Sequence, residues 1–466
     1  MSPKFGTSGL RGLVTELTPE LVSAYTRAFL AACPTGGAVQ VGWDLRPSSP
    51  DIADAVIEAI RAAGQRAVVA GVLPTPALAL ASMAAGQAAV MITGSHIPAD
   101  RNGLKFYTPQ GEISKQDEAG ILAALDQQTQ GTAPNGPREA AEGQAATAYV
   151  DRYVSAFGAT ALEGMRIGVY QHSSVARDIM SDVIRALGGS VVELARSDTF
   201  IPVDTEAVDP DTRAQLSGWC QEHALDALIS TDGDADRPMV TDHTGRIVPG
   251  DVLGALTARS LGADQICTPV SSNSMIGDMP EFTALHRTRI GSPYVIAAME
   301  AILADTPTAR VVGYEANGGF LLGFTAQGPA GTLRPLMTRD CLLPMLAPLA
   351  AARTAGTRLA DLVAALPPRF TAADRIAGIA TEVSGPFIAD LSGDAAARAA
   401  FFADQGDAVD IDLTDGLRVR FADGAIVHLR PSGNAPELRC YAEADSADLA
   451  GKLVTTYLDR LRTRLG

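Results

Sequence analysis

Cysteine is scarce in this 466-residue chain. Five residues (Cys33, Cys220, Cys267, Cys341, Cys440) lie far apart with no CxxC pair. That spacing signals neither a disulfide framework nor a zinc site, and it predicts buried, reduced thiols. Aromatic residues make up only 5%, and alanine supplies much of the 47% apolar fraction. The most apolar stretch, 67–93, is broken by Pro74, Pro76, Ser82, Gly86 and Gln87, which excludes a membrane span. Net positive charge is missing as well. A formal charge of −16 opposes a nucleic-acid partner, so any bound anion must be small and met by a local arginine or lysine cluster. The N-terminus goes straight into polar residues without the charged and apolar regions of a signal peptide, and a cytoplasmic location is expected. No GxxxxGK[ST] and no GxSxG occurs, which removes the P-loop kinase and serine hydrolase readings.

What is present is a long alternation of short apolar runs with alanine-rich helical patterns. Ala38 to Val41, helix-like Asp51 to Ala63, Ala67 to Ala70, Ala77 to Ala85 and Ala88 to Ile92 form one such series. It predicts βαβ units, hence an α/β fold with mixed, largely parallel sheets. The chain length calls for three or four domains. Boundaries are expected near 150, after a stretch poor in long apolar side chains, then near 248 and after Leu366-Pro367-Pro368. This gives units 1–150, 151–248, 249–366 and 367–466. In the last, alternation in Gly416 to Phe421 and Ala425 to Leu429 favours a smaller α+β domain with an antiparallel sheet.

Each of the first three units ends an apolar strand in a polar loop, the place where α/β sheets put ligand sites. The loops are Thr93-Gly94-Ser95-His96-Ile97-Pro98, Asp232-Gly233-Asp234-Ala235-Asp236-Arg237 and Glu315-Ala316-Asn317-Gly318-Gly319. Asp232, Asp234 and Asp236 stand at i, i+2 and i+4, so in extended backbone the three carboxylates share one side and repel unless a cation intervenes. Hard oxygen ligands suit Mg²⁺. A calcium EF-hand fails, because its sixth position is Arg237 and its twelfth His243. Ser95 offers a hydroxyl on a turn, with Lys105 and Arg11 as cations able to return to it. Glu315 and Asn317 offer an acceptor and an amide to neighbouring hydroxyls. Near the C-terminus, Arg430, Ser432, Gly433, Asn434 and Arg439 share a turn suited to a phosphate.

These motifs resemble those of the α-D-phosphohexomutases, in the same order and over essentially the whole chain. Gly6 to Gly12 is similar to G-T-S-G-x-R-G, Thr93 to Pro98 to the phosphoserine loop T-A-S-H-N-P, and Asp232 to Arg237 to D-G-D-G-D-R. Glu315 to Gly319 is similar to the sugar loop G-E-x-S-G, and Arg430 to Pro436 to R-P-S-G-T-E-P. The resemblance implies four domains around a central cleft. It makes Ser95 the phosphorylated nucleophile and makes Ser95, Asp232, Asp234 and Asp236 the Mg²⁺ ligands. His96 and Lys105 become candidates for proton transfer, and Arg11 and Arg237 hold the phosphoserine region. Glu315 and Asn317 read the sugar, while Arg430, Ser432, Gly433, Asn434 and Arg439 grip the phosphate that is not transferred.

The implied activity interconverts hexose 1-phosphate and hexose 6-phosphate through a hexose 1,6-bisphosphate, with sugar phosphates as partners and the protein a monomer or homodimer. Mannose phosphates are the expected substrates; glucose and glucosamine phosphates are the alternatives within the family. Ile97, Ala235 and Asn317 depart from the family pattern, and only the third bears on the sugar. Outside the family stand an aspartate-nucleophile sugar phosphatase built on Asp232 and Asp234, and a non-catalytic sugar-phosphate-binding protein.

Overall fold

The computed structural model describes residues 3–6, 9–125, 135–432 and 437–465. Of the expected site residues, Gly433 and Asn434 lie outside the described residues. Four principal sheets follow one another along the chain. The first has eight strands, the next two have five each, and the fourth, C-terminal sheet has five.

The first three sheets share a construction. Parallel strands occupy one side, as in the pairing of Ala38–Trp43 with Arg66–Val72 and with Ala88–Ile92. Then a strand ends, turns through a polar loop and returns antiparallel. Ala88–Ile92 is followed by Arg101–Thr108, Ala227–Thr231 by Pro238–Thr241, and Val311–Tyr314 by Phe320–Leu322. The polar loops of the three units are therefore equivalent hairpin tips, each held by a fully buried strand. The sheets are mixed: parallel at one side, antiparallel beyond each loop. The fourth sheet is wholly antiparallel, as the alternation in 416–429 predicts.

Local chemistry sets the elements. Thr18 caps the helix Pro19–Ala32 by accepting from the amide of Leu21, and proline opens that helix where a missing N–H costs nothing. Asp209 caps Pro210–Glu222 in the same way. The helix Gln144–Phe157 runs straight through position 150, so the boundary expected there falls within a helix. Tyr149 and Tyr153 on that helix are fully buried, and both hydroxyls donate to Asp340 of the third unit.

One large apolar core runs from Leu73 and Leu78 through Ile167 and Val169 to Tyr314 and Leu346, joining the first three units. The C-terminal unit has its own core, from Ile379 to Leu461. All five cysteines are free and buried. Among the described residues no helix is long and apolar enough to cross a membrane.

Candidate active site

Ser95 sits at the tip of the first hairpin, buried, with a backbone φ of 54°. An L-residue pays about 1 to 2 kcal/mol for that left-handed conformation, so the surroundings must impose it. They do so from several directions. The Ser95 amide donates to Thr93 Oγ1 at 2.7 Å, and Thr93 Oγ1 donates to Asp44 Oδ2 at 2.7 Å. Arg46, fully buried, pairs with Asp44 and donates to the carbonyls of Ser95 (2.8 Å), Ile97 (2.6 Å), Pro98 (2.7 Å) and Arg101 (3.0 Å). Its guanidinium lies 4.1 Å from the Phe200 ring centroid, tying the loop to the second unit. A β-carbon on Gly94 would fall 2.5 Å from Arg46 Cζ, which explains the glycine.

The second hairpin tip meets the first. Ser95 Oγ donates to Asp232 Oδ2 at 2.5 Å, and a β-carbon on Gly233 would come within 3.0 Å of the Ser95 carbonyl. Lys105, on the return strand of the first unit, donates to Asp234 Oδ2 and Asp236 Oδ2, each at 2.6 Å. Thr75 Oγ1 donates to Asp234 Oδ2 at 2.6 Å. Asp234 Oδ1 and Asp236 Oδ1 are buried without a hydrogen bond, and one ligand atom from each of the three aspartates can be chosen so that all lie within 4.8 Å of one another. Buried bare carboxylate oxygens are costly. The site therefore fits a hard divalent cation held by Asp232, Asp234 and Asp236.

Charge is divided unevenly across this cluster. Burial, reinforced by the neighbouring Asp234 and Asp236, pushes the Asp232 carboxyl well above the usual range. Burial also acts on Asp234, but Lys105, Thr75 and Arg11 outweigh it and hold that carboxyl below the usual range. For Asp236, burial is overcome chiefly by Arg339, with Lys105 and Arg237 adding. Burial, with Arg237 and Arg11, drives the His96 imidazole down to about 3, so it is neutral. Its Nδ1 lies 3.4 Å from Ser95 Oγ. Arg11 donates to the Thr93 carbonyl at 2.8 Å, and Arg237 stands 3.8 Å from Asp236.

The third hairpin tip brings Glu315 and Asn317 to the same cleft. Glu315 Oε2 lies 3.4 Å from Arg339 Nη1, and Arg339 Nη2 reaches Asp236 Oδ2 at 2.7 Å. Asn317 Oδ1 accepts from the Gly319 amide, closing its own turn, and the Asn317 carbonyl accepts from Thr205 Oγ1. In the C-terminal unit, Arg430 pairs with Asp415 at 2.8 Å and Arg439 with Glu437 at 3.3 Å, while buried Ser432 donates its amide to the Glu437 carbonyl. Arg439 and Arg237 both act electrostatically on the carboxylate of Asp204 in the second unit. Beside it a cavity of about 620 Å³ separates the C-terminal sheet from the second and third units, bordered by Glu206, Asp251, Ala316, His428 and Tyr441.

Sequence reasoning passed over Arg46, Thr75 and Arg339. The Asp44-Leu45-Arg46 turn after Ala38–Trp43 carried the same signal, a polar loop leaving an apolar strand. Thr75 opens a helix and Arg339 lies within a strand, so neither stood out.

A serine hydroxyl against a carboxylate cluster, with Arg11, Arg46, Lys105, Arg237 and Arg339 close by and an acid and an amide on the third loop, suits one class: enzymes that transfer a phosphoryl group on a sugar phosphate. The sequence matches Phosphoglucomutase/phosphomannomutase alpha/beta/alpha domain I over residues 2–132, domain II over 147–245, domain III over 249–370 and the C-terminal domain over 379–459. The chain belongs to the phosphoglucomutase/phosphomannomutase family, and it is an isomerase that moves a phosphoryl group within a hexose phosphate. It is 45% identical to a phosphomannomutase of Sinorhizobium fredii, covering 100% of both chains. A phosphomannomutase of Salmonella muenchen is 43% identical, with 99% of this chain and 96% of that protein covered. Among solved structures, a phosphoglucomutase/phosphomannomutase family protein from Burkholderia thailandensis superposes with a TM-score of 0.75 over 98% of this chain and 96% of its own, at 21% identity.

Proposed function

We propose that the chain interconverts mannose 1-phosphate and mannose 6-phosphate through phospho-Ser95 and a hexose 1,6-bisphosphate, with Mg²⁺ as cofactor. The observation that carries the chemistry is the 2.5 Å contact between Ser95 Oγ and Asp232 Oδ2, inside a cluster with two bare carboxylate oxygens. Mannose is favoured because the relatives at 45% and 43% identity are both phosphomannomutases.

Ser95 Oγ is the phosphoryl carrier, and its strained turn presents it to the cleft. His96 and Lys105 are the candidates for moving protons to and from the hydroxyls that gain and lose the phosphoryl group. Arg11 and Arg237 supply positive charge around the transferring group, where positioning and electrostatics provide most of the rate. Asp232, Asp234 and Asp236 would hold Mg²⁺, which when bound would supply positive charge against the negative charge of the phosphoryl group. Glu315 and Asn317 hold the sugar hydroxyls. Arg430, Ser432, Gly433, Asn434 and Arg439 hold the phosphate that stays in place while the bisphosphate turns over. Buried, free thiols suit a cytoplasmic protein.

³¹P NMR of mannose 1-phosphate with the protein, Mg²⁺ and a trace of hexose 1,6-bisphosphate tests this reading. Mannose 6-phosphate forming without inorganic phosphate is the expected result. Accumulating inorganic phosphate would mean a phosphatase instead, and turnover of glucose or glucosamine phosphates alone would move the substrate.

A further inference from the structure

Arg339 occupies the seam where the second and third hairpin tips meet. Its guanidinium spans two acids on different units, with Nη2 at 2.7 Å from Asp236 Oδ2 and Nη1 at 3.4 Å from Glu315 Oε2, and its side chain is only 6% exposed. A planar guanidinium fork holds two carboxylates in a fixed relative geometry, one on each terminal nitrogen. The sugar loop is shaped around it. A β-carbon on Gly319 would fall 2.7 Å from Arg339 Cγ and 2.8 Å from Cδ, so the last glycine of that loop leaves room for the arginine stem.

The strand that carries Arg339, Leu336–Asp340, is clamped on both sides of it. Thr338 Oγ1 donates to Glu112 Oε1 of the first unit at 2.8 Å, and Glu112 Oε2 also accepts from Ser292 Oγ at 2.8 Å. Asp340 accepts from both Tyr149 and Tyr153 and from the amide of Leu342. The base of the arginine is thus fixed to the first unit and to the connecting helix, while its tip touches the other two loops.

Its effect on Asp236 is directional. Oδ2 of that carboxylate is occupied by Arg339 and Lys105, which leaves Oδ1 without a hydrogen bond, Arg237 Nε standing 3.8 Å from it. We propose that Arg339 is a positioning residue that turns Asp236 toward the bound cation and couples engagement of Glu315 by the sugar to the strength of cation binding. The proposal rests on the mutase reading for the sugar's place at Glu315.

Manganese titrations followed by electron paramagnetic resonance, with and without saturating mannose 1-phosphate, test it without reference to turnover. In the wild-type chain the sugar phosphate should tighten Mn²⁺ binding at least fivefold, and Mn²⁺ should tighten the sugar phosphate by the same factor. Arg339→Met should weaken Mn²⁺ at least tenfold and erase the coupling. Arg339→Lys should bring Mn²⁺ affinity alone back to within about threefold of wild type without restoring the coupling, because an ammonium on the shorter stem lacks the fixed fork that spans Asp236 and Glu315. Glu315→Gln, which leaves the Arg339–Asp236 contact in place, should keep Mn²⁺ affinity and lose the coupling, and it decides the matter if Arg339→Met does not fold. Coupling absent from the wild type, or intact in a folded Arg339→Met or in Glu315→Gln, overturns the proposal. A wild-type chain that turns over mannose phosphate but shows no coupling defeats this inference alone; one that shows coupling without turnover defeats the mutase reading instead.

Discussion

Arg46 holds Ser95 by its carbonyl and never by its hydroxyl: the 2.8 Å bond from Nη2 fixes the backbone and leaves Oγ free to face Asp232. Four loop carbonyls share the same guanidinium, so the left-handed turn at Ser95 is built on one buried side chain.

Gly94→Ala is the least invasive way to disturb that arrangement, since the added methyl would press on Arg46 Cζ from 2.5 Å. Turnover should fall by about tenfold to a hundredfold while the KM for sugar phosphate changes less than threefold, the mark of misplacing the reacting group and not the substrate. Steady-state kinetics on the variant check this, and an unchanged kcat would show that Arg46 can move aside freely.

Ser95→Ala should reduce isomerisation by about four orders of magnitude or more, as removal of a nucleophile does. The thermal midpoint should stay close to wild type, because alanine keeps the same strained φ. Phosphate mass in the wild type and none in the variant, by intact-protein mass spectrometry, is the accompanying expectation.

Ala235 stands fully buried in the metal loop at a φ of 56°. Glycine would adopt that conformation without the β-carbon penalty, so Ala235→Gly should gain stability by about 1 kcal/mol or less. Chemical denaturation should show the midpoint shifting upward; a downward shift would mean that the methyl's packing outweighs the strain.

Arg430 is held by Asp415, whose Oδ2 also accepts from the Ile290 amide of the third unit. If Arg430 holds the non-transferred phosphate as proposed, Arg430→Ala should raise the KM for sugar phosphate by about tenfold to a hundredfold and lower kcat less, because a contact distant from the chemistry serves both ground state and transition state. Competitive inhibition by inorganic phosphate should weaken in parallel.

His428 is buried and donates from Nε2 to the Asp415 carbonyl at 2.6 Å, stacking on Tyr441. Burial lowers its imidazole to about 4. The folded state therefore takes up its proton later than the unfolded chain. Its stabilising effect is complete above about pH 6.5 and lost as pH falls toward 4, a loss on the order of 3 kcal/mol. His172, buried and lowered by burial to about 4, follows the same sign. Replacing His428 by Gln should flatten the acid limb of the stability curve between pH 6.5 and 4, measured by urea unfolding.

Much of this site was legible in the sequence because its three loops follow apolar strands, and strand ends are where periodicity stops and polar residues bunch. Ala88–Ile92 and Ala227–Thr231 were readable to the residue for that reason. The return strands were less visible. Arg101–Thr108 carries Asn102, Lys105 and Thr108 into buried positions, which breaks the apolar pattern of an interior strand. The helix across position 150 was hidden because its tyrosines serve a contact 190 residues away with Asp340, and no local pattern reports that. Arg339 was unreadable for the same reason, its meaning lying wholly in two acids from other parts of the chain.

The separate apolar interior of the C-terminal sheet, joined to the rest largely through polar contacts such as Ser274 to Glu443 and Asn273 to Arg369, has a thermodynamic meaning. Three sheets around a common interior melt together, whereas a fourth with its own can melt alone. Calorimetry would then record two endotherms, with catalysis vanishing at the one that takes Arg430 and Arg439 away, while the strained serine turn is still folded.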